Sequence, residues 1–547
     1  MSHRNIIFVT IFLIFLYKVS GKVIKNERPN IVIILADDLG SYDISLRGSN
    51  QILTPNIDAL GYQGVILNRH YTPALCSPSR AALLTGKYPI NTGMQHSVIV
   101  SDEPWSVPLE EKLLPQYLKE VGYQTQIVGK WHLGFAKKSF LPTRRGFDSH
   151  VGILGPSIGY FDYAMWYTYR PYPPGFDFRR NETVDRSVIG EYATDDLTRE
   201  AVKVIEDHNP KFGPLFLYFP QVAPHCGNPS ELFEAIPEDL ATVTHIRSRD
   251  RRTYAAMVKA LDRSVGEIVK ALKNNNMLKN TIILFYSDNG GPTIGPHSVP
   301  GSNYPLRGQK NSPWEGGVVS PALVWSPLLQ KRHYVSNHVV HSTDWLPTFI
   351  HVADASSCNM NIDGINIWQT VSMNKRPSRR EILHNIDPII GYSSYYSDGW
   401  KYINGTTAVG KYDYWLGEIH YENDPKSSQY ADIVMKTDVW KALNPFAKRK
   451  LRARDVEALR KKTAVNCGNQ SSRTRCNPLE APCLYHLTRD PCEINNLAEK
   501  QPRRLQEMAR RVDEFRDNMM PPKNLPADPK SNPDLHDGVW TWWLEFE

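Results

Sequence analysis

The sequence predicts an α/β protein built on a mostly parallel sheet flanked by helices, with a smaller α+β unit after it. Three observations carry this reading. Residues 29–36 (Pro-Asn-Ile-Val-Ile-Ile-Leu-Ala), 214–219 (Pro-Leu-Phe-Leu-Tyr-Phe) and 281–286 (Thr-Ile-Ile-Leu-Phe-Tyr) are near-continuous apolar runs, the pattern of strands buried on both faces. Helical patterns lie between the runs. Tyr254, Met257, Val258, Leu261, Val265, Ile268 and Leu272 recur at the spacing of one helix face, and Leu109 to Val121 reads as a further helix closed by Gly122. Each run stops at or just before polar residues: Asp37-Asp38, His225, and Asp288-Asn289. In open α/β sheets, sites form beyond the carboxyl ends of the strands.

A chain of 547 residues exceeds one ordinary domain. The texture changes near residue 380, so the expected division is a main domain over 22–380 and a smaller one over 381–547. In the second part strand-like pieces lie close together, Ile390 to Tyr396 and Trp400 to Ile403. A cysteine-rich loop follows, then a helix carrying Leu505, Met508, Val512 and Phe515 on one face. The aromatic tail, Trp540, Trp542 and Trp543, is expected to pack back onto the body. Hydrophobic content of 41% with 22% charged residues describes a folding globular chain and excludes a disordered one. The net charge of +7 favours anionic partners without marking nucleic-acid binding. The basic run Lys448 to Arg454 reads as a solvated helix face.

The N-terminus reads as a secretion signal over residues 1–21. Arg4 precedes an apolar run, Ile6 to Leu16, too short to span a bilayer, and Val19 and Gly21 are small residues suited to cleavage. With no second spanning stretch, the mature chain is expected to be soluble in an oxidising compartment. Three glycosylation sequons agree with that route: Asn181, Asn404 and Asn469.

The chemistry-bearing motifs begin at Cys76-Ser-Pro-Ser-Arg80, which runs into Leu84-Thr85-Gly86. Ser77 can cap a helix, Pro78 suits its first position, and Gly86 can end it. Cys76 then lies at a helix N-terminus, where unpaired N–H groups favour an anion. Asp37-Asp38 and Asp288-Asn289 offer the oxygen ligands that hard divalent cations take. No His/Cys cluster has zinc spacing. In Gly129-Lys130-Trp131-His132-Leu133-Gly134, Lys130 and His132 would project to one side of an extended segment. Pro142 to Asp148 and the stretch Pro305 to Gly317, with Lys310, complete the set.

In this order the motifs resemble the type I, formylglycine-dependent sulfatases. The likeness is strong over 29–320, continues through His341 to Thr348 and Asp363-Gly364, and is loosest over 405–470. Within the family it runs nearest the arylsulfatase B (N-acetylgalactosamine-4-sulfatase) group and its animal relatives. The resemblance implies an alkaline phosphatase-like fold and a secretory enzyme that oxidises Cys76 to formylglycine. The hydrated aldehyde attacks sulfur with one hydroxyl and expels sulfate with the other. It implies one Ca2+ held by Asp37, Asp38, Asp288 and Asn289, with the modified Cys76 reaching it. Lys130 would bind sulfate and a formylglycine hydroxyl, and His132 would take the proton when sulfate leaves. His225 would touch the sulfate and protonate the departing alcohol, Lys310 would bind sulfate, and Arg80 would anchor the formylglycine turn.

A phosphatase or phosphodiesterase of the same superfamily is the remote alternative. Those enzymes use Ser or Thr with two zinc ions, and the Cys76 motif with a single-metal set speaks against them. The implied substrate is 4-sulfated N-acetylgalactosamine of dermatan or chondroitin chains. A small dietary sulfate ester such as a glucosinolate, desulfated by insect relatives, is the alternative. The aromatic segment Tyr160 to Tyr169 could stack on a sugar or pack its own loop. The location is secreted or lysosomal. With Cys76 set aside, six cysteines remain, and 15 pairings are open. Close spacing favours Cys467 with Cys476 and Cys483 with Cys492.

Overall fold

The computed structural model describes residues 28–295, 300–355, 360–377, 379–418, 422–467 and 476–545. The secretion-signal reading, Cys358 and Asn469 lie outside the described residues.

A ten-stranded sheet forms the body. Its centre consists of five parallel neighbours in the order Thr281–Ser287, Asn30–Ala36, Leu215–Pro220, Gln124–Val128 and Ser149–Gly152. The three apolar runs of the sequence are thus adjacent strands. Antiparallel strands extend both flanks, Ala322–Trp325 beside Thr281–Ser287 and Arg179–Arg180 beside Ser149–Gly152. Side chains alternate across the sheet. Val32, Ile34 and Ala36 face one core with the helices Pro55–Gln63, Ala193–Glu206 and Arg249–Asn274. Ile31, Ile33 and Leu35 face the other with Cys76–Thr85, Leu114–Glu120 and Trp345–Val352. The helix expected from Leu109 starts at Leu114 because Pro115 lacks an N–H and blocks extension upstream.

A second sheet is antiparallel, in the order Glu381–Asp387, Tyr392–Ser397, Trp400–Asn404 and Cys483–His486. The helix Pro502–Asp517 covers it with Met508 and Val512. The chain between these strands returns to the main body. Tyr430 bonds Tyr62 hydroxyl to hydroxyl at 2.8 Å, and Arg460 Nε donates to Ser45 O at 2.9 Å. Lys448, Arg449 and Lys450 are exposed, but they precede the helix Ala453–Thr463 rather than forming its face. Trp540, Trp542 and Trp543 are buried in the second core, and Trp540 Nε1 donates to Met165 O at 2.8 Å.

The disulfides correct the pairing expected from spacing. They join Cys467 to Cys492 and Cys476 to Cys483. A turn in which Glu480 N and Ala481 N both donate to Asn477 O folds Cys476 back beside Cys483, with Cα atoms 5.9 Å apart. Linear spacing carries no information about that reversal. Cys226 keeps a free, buried thiol.

Candidate active site

Four parallel strands side by side deliver their trailing residues to one edge of the sheet. Asn30–Ala36 runs into Asp37 and Asp38, Thr281–Ser287 into Asp288 and Asn289, Leu215–Pro220 toward His225, and Gln124–Val128 into Lys130 and His132. Backbone bonds continue past the strand ends: Asp288 N donates to Ala36 O at 3.0 Å and Lys130 N to Pro220 O at 2.9 Å. Gly129 is required there. Its φ is +125°, and a Cβ would lie 2.0 Å from Pro220 O.

Cys76 begins the helix Cys76–Thr85, which Gly86 ends at φ 70°. The helix starts two residues earlier than expected, with Leu75 as its N-cap. Ser77 does not cap; its hydroxyl accepts from Ile99 N at 3.1 Å. The carbonyl of Ile99 lies 3.0 Å from His132 Nε2, so one segment ties the helix that begins at Cys76 to His132. Cys76 Sγ lies 3.7 Å from Asp37 Oδ1 and 3.9 Å from Asp38 Oδ1. Burial pushes its thiol pKa up, against the pull of Lys130 and Lys310, so an unmodified thiol here is a poor source of thiolate.

The charges interlock. Arg80 donates to Asp288 Oδ2 at 2.8 Å and to Lys130 O at 3.1 Å, and stands 3.3 Å from Asp37 Oδ1. Lys130 Nζ donates to Asp37 Oδ2 at 2.7 Å, and Lys310 Nζ to Asp38 Oδ2 at 2.6 Å. Burial raises the Asp38 carboxyl pKa, but Lys310, by its charge and its hydrogen bond, does most to outweigh burial and hold the group below its ordinary range. Burial works against the Lys310 ammonium, yet Asp38, Cys76 and Asp37 push its pKa well up.

Both histidines are held neutral. Burial, with Lys130 and Arg80, lowers the pKa of His132, and burial, with Lys130 and Lys310, outweighs Asp38 to lower that of His225. Their tautomers follow from their bonds. His132 Nε2 donates to Ile99 O, leaving Nδ1 buried and without a partner. His225 Nδ1 donates to Cys226 O at 2.7 Å, leaving Nε2 facing Asp38 Oδ2 at 3.4 Å and Lys310 Nζ at 3.5 Å.

The donor set suits a hard cation. Ligand atoms of Asp37, Asp38, Cys76 and His225 lie within 4.8 Å of one another. Asp288 Oδ1 accepts from Asp38 N at 3.1 Å, and Asn289 Nδ2 donates to Asp38 Oδ1 at 2.6 Å. Asn289 Oδ1 is buried with no hydrogen-bond donor, the kind of orphaned acceptor that a cation satisfies.

All the residues singled out from sequence for chemistry therefore meet at one place. Asn181 is exposed and Asn404 half-buried, both away from the centre. Two features were not legible from sequence. Tyr160 is 1% exposed. Its hydroxyl lies 3.0 Å from Val222 O and 2.8 Å from His225 O, beneath the histidine rather than over the substrate. Tyr412 comes from the segment least like the family and lines the cavity over Cys76; no motif marks it.

Fold and site together define an α/β hydrolase of anionic esters. Residues 29–355 match the model of the sulfatase family, and the chain belongs to that family. It is 37% identical over 528 residues to arylsulfatase J of Mus musculus, covering 95% of this chain and 81% of that protein. It is 32% identical over 357 residues to N-acetylgalactosamine-6-sulfatase of Mus musculus, covering 63% and 66%. The solved structure of Ps i-CgsB in complex with k-i-k-neocarrahexaose is similar at TM-score 0.69 and 28% identity, covering 94% of this chain and all of that one. The protein is a sulfuric ester hydrolase.

Proposed function

We propose that the chain releases inorganic sulfate from a sulfated carbohydrate or small sulfate ester, using a formylglycine made from Cys76 and one calcium ion. The observation that carries this is the placement of Cys76 at a helix N-terminus, between the Asp37/Asp38 pair and the cations Lys130 and Lys310. A formylglycine at position 76 would supply a geminal diol as nucleophile, a role the burial-suppressed thiol cannot fill.

Lys130 and Lys310 are placed to hold the sulfate oxygens and to stabilise charge that develops on them. His225 turns its bare Nε2 toward Lys310 and Asp38, and it would protonate the departing alkoxide after first taking up a proton at Nε2. His132 presents the bare Nδ1 and would accept the diol proton when sulfate is expelled. Arg80 fixes Asp288 and the Lys130 carbonyl together. Asp37, Asp38, Asp288 and Asn289 would hold the calcium, which would polarise a sulfate oxygen.

The arylsulfatase B likeness supports 4-sulfated N-acetylgalactosamine as substrate. The apolar cavity over Cys76 favours a second reading, a small ester such as a glucosinolate. Among the described residues no helix is long and apolar enough to cross a membrane. With the N-terminal signal and the sequons at Asn181, Asn404 and Asn469, this supports maturation in the secretory pathway by a formylglycine-generating enzyme. Secretion or lysosomal residence would follow. The domain division at residue 380 remains part of this proposal.

The test is sulfate release by protein from a eukaryotic secretory host, with Cys76→Ala as control and the mass of the residue-76 peptide as a second readout. An aldehyde there, release that vanishes in the variant, and activity removed by a chelator and restored by calcium are the expected results. Full release by Cys76→Ala would overturn the mechanism.

A further inference from the structure

Above the anion-binding groups the cavity, of about 190 Å3, changes character. Its walls are carried by Val98, Val100, Met165, Tyr169, Ile294 and Tyr412. The polar side chains of Gln309, Ser157 and Tyr167, which also line it, are taken up by protein partners. The Gln309 amide accepts from Thr293 N and Ile294 N at 2.9 and 2.8 Å and donates to Ile294 O at 2.8 Å. Ser157 Oγ rests on Met165 Sδ at 3.2 Å. The Tyr167 hydroxyl lies between Ser101 N and Ser101 Oγ, both at 3.1 Å. Asn311 is an uncharged amide. Among the described lining residues Lys310 carries the one fixed positive charge, and Asp38 holds it. The nearby guanidinium of Arg170 pairs with Asp102 at 2.7 Å and covers the Tyr169 ring.

Tyr412 is the wall residue that the fold takes most trouble to place. It follows a left-handed turn in which two non-glycine residues, Ala408 and Val409, have φ of 47° and 51°, conformations disfavoured for side-chain-bearing residues. The segment is pinned to the one that carries Lys310. Gly308 N donates to Tyr414 O, and Arg307 Nε to Asp413 O, each at 2.8 Å. Trp314 Nε1 donates to Asp413 Oδ1 at 2.7 Å. On the opposite side of the ring, Gly295 leaves no room, since a Cβ there would lie 2.6 Å from the Tyr412 hydroxyl.

We propose that this cavity selects an uncharged, ring-shaped leaving group, with Tyr412 as the specificity-determining wall, and rejects alcohols that carry a carboxylate next to the sulfated ring. The proposal rests on the sulfate-ester reading of the site and, within it, decides against 4-sulfated N-acetylgalactosamine still joined to a uronate, as in dermatan or chondroitin chains, in favour of a neutral ester. Among the described residues, a carboxylate entering the cavity would lose water against apolar walls and meet no free cation. A neutral sugar or aryl ring would exchange water for aromatic and aliphatic contact.

The test uses three esters: 4-methylumbelliferyl sulfate, N-acetylgalactosamine 4-sulfate, and that sugar sulfate joined to glucuronate. Sulfate release is measured on the intact enzyme, and binding of the unhydrolysed esters is measured by calorimetry on the Cys76→Ala protein. The two neutral esters should bind roughly tenfold or more tightly than the glucuronate ester. Tyr412→Ala should weaken the aryl ester roughly 3–10-fold, as expected for a lost ring contact. Ile294→Lys, at a half-exposed position of the wall, should narrow the gap for the glucuronate ester. Equal or tighter binding of the glucuronate ester, or equal weakening of all three by Tyr412→Ala, would overturn the proposal. Retention of the predicted binding order without sulfate release would uphold the cavity assignment and sink the sulfatase mechanism alone. Release with the reverse binding order would do the opposite.

Discussion

Asp262 offers a test of which force governs a buried carboxyl. It lies inside the helix Arg249–Asn274 and is 3% exposed. Its Oδ1 accepts from Asn56 N and Ile57 N, both at 2.9 Å, and its Oδ2 from Asn56 Nδ2 at 3.0 Å. Those amides open the helix Pro55–Gln63, whose own N-cap, Thr54, makes no side-chain capping bond. Asp262 thus caps a neighbouring helix from outside. The amides favour the carboxylate, and burial favours the neutral acid. Burial wins, moving the pKa from 3.8 to about 7. A raised folded-state pKa gives stability that is complete below the unfolded value and is lost as pH rises through the folded one. At ~1.36 kcal/mol per pKa unit, the loss is about 4 kcal/mol over the whole range and about 3 kcal/mol between pH ~5 and pH ~8. Asp262→Asn keeps an oxygen for the two backbone amides and cannot ionise. Standing in for the neutral acid, it should exceed the wild type by about 1.5 kcal/mol near pH ~5 and by about 4 kcal/mol near pH ~8, a gap that widens by about 3 kcal/mol. Urea unfolding of both proteins at both pH values measures this. Buried histidines such as His70 and His150, whose pKa values burial lowers, titrate in both proteins and cancel in the difference. An Asn variant weaker by the same amount at both pH values would refute the reasoning, because Asp262 would then be an ionised cap.

Lys310→Met should lower kcat/KM roughly 10²–10³-fold on every sulfate ester, as for other preorganised oxyanion donors, without changing the mass of the residue-76 peptide; an effect confined to one substrate would contradict its place at the sulfate. Tyr160→Phe removes a hydroxyl that braces the backbone at His225, so turnover of all substrates should fall together by about fivefold, the scale of one lost buried hydrogen bond. A shift in preference among esters would instead place Tyr160 at the substrate. The bridge between Cys467 and Cys492 closes 25 residues and that between Cys476 and Cys483 only 7. Chain entropy then makes Cys492→Ser the costlier change by about 1 kcal/mol, read as the difference in unfolding free energy between the two serine variants.

Much of the body was legible because burial on both faces leaves a continuous apolar run, as at 30–36, 215–220 and 281–287. The polar residues at or just beyond the end of each run pointed to the site, since parallel strands bring those ends to one edge. The order of the strands was not legible; it depends on pairings between residues hundreds of positions apart. Ser77 misled because a capping type at the right spacing gains nothing when its hydroxyl has a better-placed partner in Ile99 N. The aromatic segment could not be resolved into roles. Tyr160 and Tyr163 turn inward while Met165, Tyr167 and Tyr169 reach the cavity, and nothing in an irregular loop fixes that choice locally.

The depth of residue 76 has a consequence for the order of events in the cell. Its side chain is 1% exposed, at the floor of the cavity. A second protein could not close its own active site around a side chain at the bottom of so narrow a pocket without displacing the segments that wall it. The formylglycine proposed at this position would therefore be made on the nascent, still extended chain. Closure of the fold then acts as a deadline: molecules that pass it unconverted would be stable, correctly shaped and inert, and no later exposure of the native protein to the modifying enzyme would rescue them.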